Sequence, residues 1–223
     1  MSMSALIALG AIAAVILVSY REHRGMLAAR RCLLDGCAGI LDRAQLTHGD
    51  DGFPRLVGNH DGRAVRIDLI PDTMTIRRLP QLWLSVSLLD RCPGVPGLAV
   101  LVRPTGNEFY SLNSHFAHRY EPPSGLPAEV SIRGDRGAGR LLAELNEALG
   151  AILADPRVKE VAITERGLRI VRQAGEGKRG EHLLLRQALF ERANVSRTDL
   201  ESILQPLETL RAIVNIYGRA RAA

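Results

Sequence analysis

The sequence predicts an α+β fold: a single N-terminal transmembrane helix followed by a globular domain with a mainly antiparallel sheet and C-terminal helices. Three observations carry this expectation. Met1 to Tyr20 contain no Asp, Glu, Lys or Arg, and arginines follow at once. Short runs of alternating apolar residues recur at hairpin spacing between Pro54 and Val102. Amphipathic helical segments come later in the chain, without the strand–helix–strand alternation of a doubly wound fold. The expected organisation is a transmembrane anchor at 1–20, a juxtamembrane basic helix at 21–46, a cytoplasmic α+β domain at 47–217 and a basic tail at 218–223.

The first element rests on Leu6, Ile7, Leu9, Ile12, Val15, Ile16, Leu17 and Val18, which cover every side of a helix. A helix apolar all round is buried in protein or in lipid. The run lacks the basic residues that precede a secretory signal, and Ser19-Tyr20-Arg21 is a poor cleavage site, so the reading is an uncleaved anchor with residues 3–20 in the bilayer. Arg21, Arg24, Arg30 and Arg31 flank the C-terminal end. Basic residues beside a span stay on the cytoplasmic side, which places the N-terminus out and the domain in the cytoplasm.

The 223 residues are 46% apolar and 24% charged, the balance of a globular protein. The net charge of +5 is loaded on the ends. Residues 21–31 carry four Arg and one Glu, residues 211–223 carry three Arg and no acid, and the stretch between them sums to −1. A nucleic-acid binder concentrates charge on its domain, so no nucleic acid is expected as a partner. Anionic lipid headgroups fit the basic ends better. Three cysteines, Cys32, Cys37 and Cys92, without a repeated spacing, fit a reducing compartment and no metal site.

Element by element, Gly-rich Thr47–Pro54 reads as a linker. Strands are expected at 54–58 and 63–70 around Asp61-Gly62, whose residue types suit a two-residue hairpin turn with positive φ. Further strands are read at 73–78, 82–89, 97–104 and 128–134, with 105–111 continuing the sheet. Leu141, Leu145, Leu149 and Ile152 lie on one face of a helix that ends at Asp155-Pro156. A second hairpin spans 158–173 around Glu165-Arg166-Gly167, and helices follow at 180–193 and 196–217. Thr198 with Glu201 reads as a capping box, and Pro206 as a kink or break.

The chemistry-bearing motifs are sparse. Ala174–His182 places glycines, Lys178 and Arg179 before a helix, but the spacing and the missing Ser or Thr fail the phosphate-loop pattern. Arg133 and Arg136 lie in a second Gly/Arg loop that leads into a helix. These four residues are the anion-binding candidates. His115 and His118, three apart, point to opposite faces of a strand and do not form a metal pair. No Gly-x-Ser-x-Gly occurs. Trp83, Arg103, Glu108 and Tyr110 combine aromatics with charges around turns, which either anchors a partner or caps the core. No cofactor is implied. The sequence thus points away from an enzyme and towards a membrane-anchored interaction or assembly module, with a second copy or a membrane protein as partner. The alternative is a tethered enzyme or sensor that binds an anionic small molecule at the Gly/Arg/Lys-rich loops.

Overall fold

The computed structural model describes residues 3–73, 79–177, 190 and 194–222. Among the described residues nine strands form one sheet: β1 (Asp42–His48), β2 (Pro54–His60), β3 (Arg63–Asp72), β4 (Gln81–Leu88), β5 (Leu98–Val102), β6 (His118–Tyr120), β7 (Val130–Gly134), β8 (Val158–Thr164) and β9 (Gly167–Glu176). Their order is β1-β2-β3-β4-β9-β8-β5-β7-β6, and every neighbouring pair is antiparallel. Helix α1 (Met3–Arg31) precedes the sheet, α2 (Ala138–Leu153) joins β7 to β8, and α3 (Arg197–Ala222) follows β9. The α+β class and the antiparallel sheet agree with the sequence reading.

The membrane anchor does not. Among the described residues no helix is long and apolar enough to cross a membrane. The physical reason lies in length and dilution. Met3 to Tyr20, the expected span, rise about 27 Å at ~1.5 Å per residue, against a hydrocarbon core of about 30 Å. Ser4, Gly10, Ala11, Ala13 and Ala14 add little apolar area to the run. The helix then continues without a break through Arg21, Glu22, Arg24, Arg30 and Arg31. The transmembrane helix, the single-pass membrane character and the outside-N-terminus, cytoplasmic-domain placement are therefore corrected. Leu6, Ile7, Ile12 and Ile16 are exposed on α1.

The segment after α1 also differs from the helix expected to reach residue 46. Asp35–Ile40 form a 3-10 turn that holds Gly36 and Gly39, and β1 begins at Asp42. Leu34, Cys37 and Leu41 are buried in the core, so the apolar stripe of this segment docks on the domain. The Cys37 thiol donates to Val195 O at 3.2 Å, and burial, aided by Asp199, pushes its pKa up to about 11.

Alternation along the strands divides the sheet into two unlike faces. Val65, Ile67 and Leu69 of β3, Leu82, Leu84 and Val86 of β4, and Leu168 and Ile170 of β9 meet α2 and α3 in one apolar core. From α2 come Leu141, Leu145 and Leu149, and from α3 Leu200, Leu204, Leu207 and Val214. Buried Arg172 of β9 faces this side and ties the two helices to the sheet: Nε meets Asp155 Oδ2 at 2.9 Å and Nη1 donates to Ser202 Oγ at 2.8 Å. The cap of α3 is Ser196 with Asp199, two residues ahead of the expected Thr198 and Glu201. Asp199 N donates to Ser196 Oγ at 3.1 Å, and Ser196 N to Asp199 Oδ2 at 3.3 Å. Pro206 lies inside α3 and does not split it. Apart from Phe190, the expected helix at 180–193 lies outside the described residues, as does most of the strand at 73–78.

Two turns set the hairpins. Asp61 and Gly62 have φ of +48° and +77° and leave His60 paired with Arg63, as the sequence predicts. Gly167 starts β9 with φ of +140°, and a Cβ there would stand 2.1 Å from Leu88 O of β4. Neither the φ nor the contact admits a side chain. Gly167→Ala is expected to lose about 2–3 kcal/mol of stability in urea unfolding. Unchanged stability would mean that the β4–β9 junction is looser than described.

Candidate functional site

The face of the sheet opposite the helices is polar. Trp83, Ser85 and Ser87 project on it from β4, Arg169, Val171 and Gln173 from β9, and Glu160 from β8, each offset by one residue from the apolar set. Residues 103–117, expected in part as a strand, cross this face as a loop. Arg103 turns the chain out of β5 with φ of +48°. Its guanidinium donates to Pro156 O at 2.6 Å and Val158 O at 3.1 Å.

A register shift between Val158 and Glu160 makes Lys159 the extra residue of a bulge. A bulge re-aims its side chain. Here Lys159 Nζ donates to Arg103 O at 2.6 Å and meets Glu108 Oε1 at 2.9 Å. Both side chains of this ion pair are 6% exposed. Glu108 also accepts from the Thr105 amide and hydroxyl and the Gly106 amide, at 2.7–2.9 Å. Burial opposes the charged carboxylate, but the hydrogen bonds from Lys159 and Thr105 and the ammonium charge outweigh it and hold its pKa at about 2.

The next residues drive into the sheet. Tyr110 packs on Trp83, with ring centroids 5.5 Å apart, and on Val171. Phe109 stands edge-on to Tyr110 at 5.3 Å and is exposed. Glu160 is fully buried. Its carboxylate accepts from the Ser111 hydroxyl, from the amides of Leu112 and Asn113 at 2.8 and 3.2 Å, and from Arg169. Asn113 Nδ2 then donates to Ala99 O at 2.9 Å and Ser131 O at 2.8 Å.

Between this loop and strands β4 and β9 lies a cleft of ≈ 380 Å³. Trp83, Arg103, Glu108 and Tyr110, the four residues named from the sequence as partner anchors, all line it, together with Asp72, Gln81, Lys159 and Gln173. Trp83 and Tyr110 are each 8% exposed. Among the described residues, Trp83 Nε1 and Tyr110 Oη have no hydrogen-bond partner. Burial first, then the carboxylates of Asp72, Glu108 and Glu160, push the Tyr110 pKa well up, so the phenol is a donor at any physiological pH.

The remaining sequence candidates do not gather. Arg133 lines a different cleft, and Arg136 is exposed ahead of α2. Lys178 and Arg179 lie outside the described residues. Arg21, Arg24, Arg30 and Arg31 are spread over the last turns of α1, where Arg30 sits over the Phe53 ring at 5.0 Å. Among the described residues, no group of His, Cys, Asp or Glu side chains could hold a metal ion. Sequence reasoning missed Lys159, Glu160 and Arg169. Their signal was charge inside short apolar strand runs, where a charge facing the sheet must be paired. No known protein family matches the chain, and no curated protein is significantly similar to it.

The Glu108 pKa lies below that of an unfolded carboxyl, so its contribution to stability is complete above about pH 4.5 and is lost as pH falls towards 2. Glu108→Gln is expected to destabilise at neutral pH, and the gap to the parent should narrow as unfolding is measured from pH 5 down to 2.5. A gap independent of pH would mean that the charged Glu108 carboxylate does not stabilise the fold.

Proposed function

We propose that the α+β domain is a non-enzymatic interaction module whose receiving site is the cleft lined by Trp83, Arg103, Glu108 and Tyr110. One observation carries this reading: two buried donors on residues lining the cleft, Trp83 Nε1 and Tyr110 Oη, have no acceptor among the described residues. An unpaired buried polar group costs about 1–3 kcal/mol, and a partner that supplies an acceptor recovers that cost on binding. Trp Nε1–H can only donate, and a protonated Tyr hydroxyl donates as readily. The matching group is an uncharged oxygen acceptor such as the backbone carbonyl of an extended peptide, and the cleft volume suits one or two residues of such a segment.

Both atoms are closed to water. The accepting group therefore reaches them by displacing neighbouring loop residues such as Pro104 and Asn107, which line the cleft and are exposed. Arg103, Lys159 and Glu108 are held by one another and by backbone groups, which makes them the frame of the site. The acids Asp72 and Glu129, which also line the cleft, disfavour an anionic partner here.

Tyr110→Phe keeps the ring and removes the unpaired hydroxyl. It is expected to stabilise the free protein by up to about 1 kcal/mol, the opposite of an ordinary core substitution. Trp83 is the one tryptophan of the chain, so its emission reports on this cleft. Peptides selected on the full chain from a displayed library should shift that emission and bind Tyr110→Phe at least tenfold more weakly. Peptides that leave Trp83 emission unchanged and bind both forms equally would refute the reading.

A further inference from the structure

The far edge of the sheet carries a second feature, independent of the Trp83 cleft. β6 and β7 pair so that Arg119 stands directly opposite Arg133. Directly opposed residues of an antiparallel pair project from the same face, with Cβ atoms about 4.5–5.5 Å apart. Val130 and Ile132 of β7 are buried in the helix-side core, so Arg133, one residue on, lies on the polar face, and Arg119 with it. Like charges so placed repel, and a sheet ordinarily sets an acid opposite or between them. Among the described residues neither guanidinium has an ion-pair or hydrogen-bond partner.

Arg133 opens on a cleft of ≈ 700 Å³ whose walls include Leu101, Asn107, Phe109, Ser114 and Ser131. Glu108 is the one acid among its lining residues, and its carboxylate is already held by Lys159, Thr105 and Gly106. Arg133, the cation of the cleft lining, is therefore left without a lining acid to pair with. Phe109, 60% exposed, supplies an apolar surface beside it. Two forked donor sets side by side match the oxygens of a phosphate or carboxylate, which arginine binds in bidentate fashion.

We propose that this cleft binds a small organic oxyanion, its phosphate or carboxylate held by Arg133 of the cleft wall and by Arg119, which stands opposite Arg133 on the edge strand beside the cleft rather than in its lining, and its apolar part resting on Phe109. The inference uses neither Lys178 nor Arg179, and it does not depend on the peptide reading of the Trp83 cleft.

Calorimetric titration of the full chain with phenyl phosphate, benzoate and inorganic phosphate, at ionic strength fixed with sodium chloride, tests it. Phenyl phosphate or benzoate is expected to bind saturably at one site, and whichever is tighter names the headgroup. Arg133→Gln should weaken that binding at least tenfold and Arg119→Gln several-fold. Phe109→Ala should weaken phenyl phosphate more than inorganic phosphate. Without ligand, both Gln variants should melt at or above the parent Tm, because each relieves the repulsion. No saturable binding of any probe, binding unchanged in Arg133→Gln, or a marked fall of Tm in both Gln variants would overturn the proposal. The last result would make the pair a structural feature. Arg119→Gln sits on the exposed edge strand and keeps the test open if Arg133→Gln fails to fold.

Discussion

The carboxylate of Glu160 has no contact with solvent, and the polar half of the molecule is organised around that fact. A buried charge is tolerated only when it is paired and fully hydrogen-bonded. Arg169 on the neighbouring strand supplies the opposite charge, and the loop supplies the rest: the Ser111 hydroxyl and two successive backbone amides. Glu160 cannot be satisfied unless residues 110–113 lie on the sheet. The loop in turn brings Tyr110 onto Trp83 and Asn113 onto the carbonyls of β5 and β7. Lys159, one residue earlier, fixes the entry of the same loop through Arg103 O and Glu108. A bulge that turns two consecutive charged residues inward thus decides where a fifteen-residue connection runs.

This arrangement gives the sheet two covers of different chemistry. Helices α2 and α3 close one face with leucine and isoleucine contacts, where burial of apolar area is the driving term. The loop closes part of the other face with hydrogen bonds and ion pairs, and such a cover leaves gaps at its borders. Both clefts considered above are gaps of this kind, on either side of the Pro104–Glu108 segment that they share. Their characters differ because their neighbours differ: among the described residues, two unpaired neutral donors and the acids Asp72 and Glu129 on the β4 side, two unpaired guanidiniums on the β7 side. A rigid scaffold that positions a polar loop is a common way for a domain to present binding groups.

Much of this was legible from local pattern. Period-2 alternation in Val65–Leu69 and Leu82–Leu88 marked half-buried strands and identified which residues face the core. Asp61-Gly62 marked a hairpin because that turn needs positive φ at both positions. The α2 stripe of Leu141, Leu145 and Leu149 was legible for the same reason, and these residues are buried together. The sequence also singled out Trp83, Arg103, Glu108 and Tyr110, although it assigned them to two separate turns. The N-terminal run was misjudged because the absence of charge was weighed above length and side-chain size. The register of the α3 cap was missed by two residues because two Ser/Thr-x-x-acid spacings overlap there.

By itself the sequence determined the class of the fold, its hairpins and the residues that face the helix-side core, because these follow from backbone periodicity and turn chemistry within a few neighbouring residues. The course of residues 103–117 was decided only in three dimensions. It depends on acceptors and charges contributed by β5, β7, β8 and β9, 14 to 59 residues away in the sequence, and on a bulge that no local spacing announces. The juxtaposition of Arg119 with Arg133, and the burial of Trp83 Nε1 and Tyr110 Oη without acceptors among the described residues, are likewise products of strand register and tertiary packing. Register sets which side chains share a face, and it is fixed by the whole sheet rather than by any one strand.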